Sequence, residues 1–154
     1  MSLPLLKALT KYYKLVNMAA VDPTTVIPPE LDFVPGPRDD LESIIWVLTY
    51  AFMLRHQESL QGLRKAHYKR DVQQFHGSLS YSGLAKERNI MVFHGSNAFV
   101  DEPEEWFPDP TQCRWFRRAI TLVEGQIKPS SDGSIKYIAF DTFDALCDEF
   151  INDE

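Results

Sequence analysis

The chain has few of the features that mark secreted or membrane-embedded proteins. Only two cysteines, Cys113 and Cys147, occur among 154 residues, and both fall in apolar helical patterns, where a free thiol behaves as a small hydrophobic side chain. This argues against a disulfide framework and favours a reducing compartment, so we expect a cytoplasmic or nuclear protein. No apolar segment approaches the ~20 residues of a membrane span, and none near Met1 has signal-peptide length. We therefore expect no membrane contact.

The chain also has fewer basic than acidic residues. Sixteen Lys and Arg residues face 22 Asp and Glu, which leaves a formal net charge of -6. A field of that sign repels nucleic acid, so we expect no nucleic-acid partner. The one basic stretch, residues 64–70, is interpreted as the solvated face of a helix, with a local basic site as the alternative.

Motifs that carry chemistry are absent. The sequence contains no P-loop, no Gly-x-Gly-x-x-Gly, no Gly-x-Ser-x-Gly and no His-Glu-x-x-His. The histidines lack metal-ligand spacing with each other and with the cysteines; they are His56, His67, His76 and His94. Both cysteines look core-facing, which disfavours a Cys-His nucleophile pair. The acidic loop of Glu102, Glu104 and Glu105 is interpreted as a solvated turn rather than a paired-carboxylate site. We expect no metal, no cofactor and no catalytic residues.

The residues that are present indicate one globular domain over 1–154. Apolar residues make up 44% and charged residues 25%, which suits a soluble core-forming chain. Helical spacing of apolar residues predicts a mainly α fold. The predicted helices cover about 3–17, 40–54, 57–75, 80–93, 111–124 and 142–152, with a brief strand or extended segment near 135–140. Five prolines between 22 and 37 predict an internal linker lying against the body of the protein.

The segment 40–54 is the clearest element. Asp40 suits an N-cap, and every residue from 44 to 54 is uncharged. A helix that is apolar on all sides must be buried on all sides. We expect Trp46 and Tyr50 in the core, and Arg55 and His56 at the end of the helix, where cations suit its dipole.

Residues 39–48 read Asp-Asp-Leu-Glu-Ser-Ile-Ile-Trp-Val-Leu, and this stretch resembles fungal-type protein kinases. Kinases more widely open the central helix of the C-lobe with Asp-x-Trp-Ser, and Asp40 and Ser43 match that Asp and Ser. The resemblance implies a helical domain like the distal half of a kinase C-lobe, around one buried central helix. In kinases the Asp caps this helix and braces the catalytic loop, which implies a structural role for Asp40 and Ser43.

The resemblance implies that the catalytic half is absent. Phosphoryl transfer needs a phosphate-binding lysine, metal-holding groups and an Asp that orients the hydroxyl, and in kinases all of these precede the central helix. Only 39 residues precede Asp40, without His-Arg-Asp, Asp-Phe-Gly or Val-Ala-Ile-Lys; residues 32–34 read Asp-Phe-Val. We therefore expect no enzyme. The favoured hypothesis is a non-catalytic protein-interaction module. The alternatives are a C-terminal kinase fragment that needs a separately encoded N-terminal half, and an unrelated helical binding domain.

Loss of the catalytic half should leave apolar surface exposed, and such surface marks partner sites. Tyr12 and Tyr13 lie at the edge of the first helix, and tyrosine is enriched at interfaces. Together with the proline-rich linker they form the expected interface. A homodimer is the simplest assembly, with a self-sufficient monomer as the alternative; the sequence does not identify any other partner.

Overall fold

The computed structural model describes residues 1–29, 31, 33–34, 36–76, 82–86, 88, 103–128 and 130–152. The long helices in these ranges are α1 Leu3–Ala19, α2 Pro37–Ser59, α3 Gly62–His76, α4 Pro110–Ile127 and α5 Phe140–Asn152. Residues 82–86 are also helical, and Pro103–Glu105 form a 3-10 turn. No strand occurs within these ranges, and residues 134–139 have no regular secondary structure. The predicted mainly α fold is confirmed.

The core lies between α2, α3, α4 and α5. Helix α4 contacts α2, α5 and the 3-10 turn, while α3 packs along α2. The fully buried side chains of this core include Trp46, Ile45 and Met53 from α2, Val72 from α3, Phe116 and Val123 from α4, and Phe107 from the loop before α4. Each helix contributes one apolar face, which is the usual way that amphipathic helices enclose a shared core.

The residues at the start of α4 explain why the helix begins there. Asp109 is its N-cap and accepts the amides of Thr111, at 2.8 Å, and Gln112, at 3.2 Å. Pro110 follows at the first helical position, where its missing N–H costs nothing. The predicted end at Gly125 is wrong. The helix continues to Ile127, and the Gly125 carbonyl accepts the amide of Lys136 at 3.1 Å.

The fully buried side chains of helix α1 lie in its first two turns. Ser2 caps it, and Leu3 and Leu6 are fully buried against Ala85 and Leu84 of the 82–86 helical stretch. The rest of α1 is half-buried or exposed. The sequence predicted a broader apolar face than the one that is buried.

The described residues of the proline-rich segment form turns and irregular backbone. Val26 and Val34 are 83% and 89% exposed, so the expectation that this segment packs on the protein body is wrong for these side chains. Leu31 and Phe33 are half-buried. Pro37, which was assigned to the linker, is the first residue of α2.

Helix α2 is longer than predicted at both ends. It begins at Pro37, because proline suits the first helical position after an extended N-cap, here Gly36. It continues past Arg55 and His56 to Ser59, since cationic side chains near the C-terminus favour the helix dipole and do not themselves end a helix. Leu60 is extended, and Gly62, with φ 58°, allows the turn into α3.

The expectation that α2 is buried on all sides is wrong. Ile44 is 43% exposed and Val47 is 62% exposed. The described helices cover the faces that hold Trp46 and Met53 and leave this one open. Among the described residues, no helix is both long and apolar enough to cross a bilayer.

Some sequence predictions concern residues outside the described ranges. They are the part of the 80–93 helix that holds Ile90 and Met91, the side chains of Phe75 and His76, and His94, Glu102 and Asp32.

Candidate functional site

The start of α2 is organised by Asp39 rather than Asp40. The Asp39 carboxylate accepts the Gly36 amide at 2.9 Å, which closes the first turn, and the Ser2 hydroxyl at 2.9 Å. Asp40 lies one residue further into the helix and is exposed, so the prediction that it caps the helix is wrong. Proline at position 37 moves the helix start upstream, and the capping carboxylate moves with it.

Ser43 is not a cap either. It lies within α2, where its hydroxyl donates to the Asp39 carbonyl at 2.7 Å. This i to i−4 bond satisfies the hydroxyl inside the helix. It leaves the Ser43 side chain no role at the helix terminus.

A buried carboxylate, Glu42, joins three parts of the fold. It accepts the Leu3 amide at 2.7 Å, the Trp46 indole N–H at 3.0 Å and the Gln126 side-chain amide at 3.4 Å. Gln126 in turn accepts the amide of Ile138 at 3.2 Å. These bonds tie the start of α1, the middle of α2 and the end of α4 together.

The charge on Glu42 is balanced by a buried arginine. Arg88 is 6% exposed, donates to the Met1 carbonyl and stands 4.8 Å from the centre of the Trp46 ring. Burial lowers the pKa of Arg88 to about 10, against the attraction of Glu42. Burial raises the pKa of Glu42, and the bonds from Trp46 and Leu3 oppose that shift.

This polar cluster is buried and holds segments of the fold together. Glu42 is fully buried and Asp39 is 4% exposed, so a dissolved substrate cannot reach either carboxylate. A buried carboxylate whose oxygens accept several N–H groups is stable in place. The arrangement clamps the N-terminal segment onto α2.

The exposed face of α2 is the strongest candidate for binding. It consists of Asp40, Ile44, Val47, Ala51 and Arg55, all exposed, and is called the α2 face below. Their spacing of three or four residues places them along one side of the helix. The face is therefore apolar in its middle, acidic at its start and basic at its end.

The remaining residues singled out from the sequence lie in different places. Trp46 is 1% exposed and lies in the core, whereas Tyr50 is 38% exposed and is not a core residue. Its place on the helix points it to the edge of the α2 face rather than inward. On α1, Tyr12 is half-buried and Tyr13 is 46% exposed, with their rings edge to face at 5.9 Å.

A cleft of 420 Å³ lies between the end of α2, α3 and the 3-10 turn. Tyr68 forms its floor, donating its hydroxyl to the Trp106 carbonyl at 3.0 Å, with the Trp106 and His56 rings about it at 5.1 and 5.0 Å. Burial lowers the pKa of His56 and raises that of Tyr68.

Neither cysteine is activated as a nucleophile. Cys113 is buried and Cys147 half-buried, and both are free thiols. Burial raises the pKa of each, and carboxylates nearby add to the effect. A raised pKa keeps the thiol protonated, whereas a nucleophilic cysteine needs the thiolate. No group of three or more potential metal ligands occurs in the described ranges.

Comparison with known proteins gives no assignment: no family model, no curated protein and no solved structure matches the chain.

Sequence reasoning missed Glu42 and Arg88. A glutamate in an otherwise apolar helix was a visible signal, because a charge at a core position requires partners. No local pattern links Arg88 to it, since the two are distant in sequence and meet only through the fold.

Proposed function

We propose that this chain is a non-catalytic protein-binding module with an architecture like the distal half of a protein kinase C-lobe. The observation that carries the proposal is the α2 face: apolar side chains stand exposed on a helix whose opposite side is buried in the core. Val47 alone is 62% exposed. An apolar surface on a rigid, central element is typical of a partner site.

Asp40, the residue that matches the kinase Asp, is exposed, and the carboxylates that hold another segment are its neighbours Asp39 and Glu42. In kinases a carboxylate at the start of the central helix braces the catalytic loop. Here Asp39 accepts the Ser2 hydroxyl and Glu42 accepts the Leu3 amide, and in the proposed architecture the N-terminal segment substitutes for the catalytic loop. A shortened C-lobe of this kind would keep the brace and lose the chemistry.

We place the module in a reducing compartment, the cytoplasm or nucleus. Two free thiols support this placement. Tyr12 and Tyr13 stay a second predicted interface, separate from the α2 face.

Site-specific crosslinking tests the binding function. Val47 is replaced by photoreactive p-benzoylphenylalanine in the full chain, and the protein is irradiated in its native cells. Leu63 on α3, which is 78% exposed, is the matched control position. We expect a discrete protein adduct from position 47 and none from position 63. Equal labelling at both positions, or none at 47, would contradict the proposal.

A nucleotide titration tests the absence of catalysis. A ligand that binds only the folded state must raise the melting temperature, so ATP with magnesium should leave it unchanged. A concentration-dependent rise would contradict the proposal that the chain is non-catalytic.

A further inference from the structure

The two ends of the α2 face carry opposite charges. Asp40 precedes its apolar centre and Arg55 follows it, and both side chains are exposed. Within the described part of the chain, neither takes part in an ion pair. At 1.5 Å per residue they lie roughly 22 Å apart along the helix.

Two copies of the α2 face are complementary to each other when the two helices lie antiparallel. When two copies of α2 lie antiparallel with their midpoints at residues 47 and 48, Asp40 of one lies opposite Arg55 of the second. Ile44 then lies opposite Ala51 of the second copy, a large side chain against a small one. Val47 lies near the two-fold axis, close to its own counterpart.

We propose that the occupant of the α2 face is a second copy of this chain, packed antiparallel about a two-fold axis through Val47. This inference rests on the proposed binding function and names the partner. Two-fold contacts are isologous, so each ion pair forms twice. The small Ala51 lets the helix axes approach to about 8 Å, the lower end of the usual packing range.

Charge sets the register of this contact. Parallel packing would place Asp40 against Asp40 and Arg55 against Arg55, and like charges across an interface are strongly unfavourable. A contact limited to one helix face belongs to the small, transient class of interfaces. Dimers should therefore form at micromolar concentrations and weaken as salt is added.

Tyr12 and Tyr13 fit a second copy less well. Tyr12 is half-buried, and the neighbouring linker side chains stand on irregular backbone, which would have to be ordered on binding. The α2 face needs no such ordering, because it stands on a continuous helix.

Charge exchange with sedimentation velocity tests the proposal on the full chain. Asp40→Arg and Arg55→Asp each place like charges opposite each other, so each variant alone should dimerise at least tenfold more weakly than the wild type. An equimolar mixture of the two should regain wild-type association, because each copy then meets its opposite charge. The double variant should also regain it. The exchanged side chains are exposed, and circular dichroism checks that each variant folds.

A wild-type chain that stays monomeric at hundreds of micromolar would overturn the proposal. So would dimers that neither single exchange weakens, and the Tyr12→Ser, Tyr13→Ser double variant would then test α1 as the contact. If the chain is monomeric but position 47 still crosslinks to a different protein in cells, the partner is not a second copy, and the proposed binding function is unaffected.

Discussion

At the residue scale, Trp46 and Glu42 determine how the centre of the molecule is held. Trp46 contributes a large buried ring and also donates its indole N–H to Glu42. Arg88 lies against the face of that ring, an arrangement that favours a cation next to an aromatic system. Apolar packing and the polar cluster are therefore coupled through one side chain.

Trp46→Ala should lower the free energy of unfolding by about 3–5 kcal/mol, as for other large-to-small core changes. The loss includes the cavity and one of the two hydrogen bonds that Glu42 Oε1 accepts; the bond from the Leu3 amide remains. Urea denaturation measures it, with Leu63→Ala as the exposed control, for which we expect little change. Equal effects of the two substitutions would contradict the burial of Trp46.

Glu42 predicts a pH dependence of stability with a definite sign. Its pKa is raised from 4.5 in the folded protein, so folding favours the protonated form. The contribution of Glu42 to the free energy of unfolding is fully present below the unfolded pKa and is lost as pH rises through the raised, folded pKa.

Glu42→Gln removes this titration and keeps an acceptor for the Leu3 amide. The stability of Glu42→Gln relative to the wild type should therefore increase with pH across that window, as urea denaturation at a series of pH values would measure. A difference that stays constant with pH would contradict the account.

Much of the core could be predicted from helical spacing, but its exposed parts could not. The pattern around Trp46 and Phe116 repeats every three or four residues, and periodicity of this kind identifies a buried face. In α2 the apolar residues occupy every side, so periodicity cannot tell Ile45, which is buried, from Ile44, which is 43% exposed. That difference depends on how many helices surround α2, which local sequence does not encode.

At the element scale, the start of α2 shows why helix boundaries are hard to predict. Asp39 and Asp40 are adjacent and have the same side chain, and either suits the N-terminus of a helix. Pro37 after an extended Gly36 decides between them, because it sets the first turn and places Asp39 where it can accept the Gly36 amide. The polar cluster could not be predicted from the sequence either, because its members come from α1, α2, α4 and residue 88 and meet only in the folded chain.

Asp39→Ala and Asp40→Ala form a matched pair that tests this account of the helix start. Asp39→Ala removes an acceptor from Gly36 and leaves the buried Ser2 hydroxyl without its carboxylate, a loss of about 1–3 kcal/mol. Asp40→Ala removes an exposed side chain and should change the unfolding free energy little. Thermal and urea denaturation compare the two variants directly. A larger loss at Asp40 would contradict this account and would identify Asp40 as the cap.

At the scale of the whole molecule, one helix serves two purposes. The buried side of α2 organises the core through Ile45, Trp46 and Met53, while the opposite side presents Ile44 and Val47 to solvent. The proposed binding face stands on a continuous helix whose opposite side is buried, so little conformational entropy would be lost if a partner docked there. Its geometry also depends on the polar cluster, which fixes α2 against α1 and α4.

The most direct test of the α2 face is sedimentation velocity of Val47→Glu beside the wild type and Leu63→Glu. Both substitutions place a carboxylate on an exposed helical position, but only Val47 lies on the α2 face. We expect wild type and Leu63→Glu to show the same concentration-dependent dimer and Val47→Glu to sediment as a monomer. If Val47→Glu associates as strongly as Leu63→Glu, the α2 face is not the contact and the central claim fails.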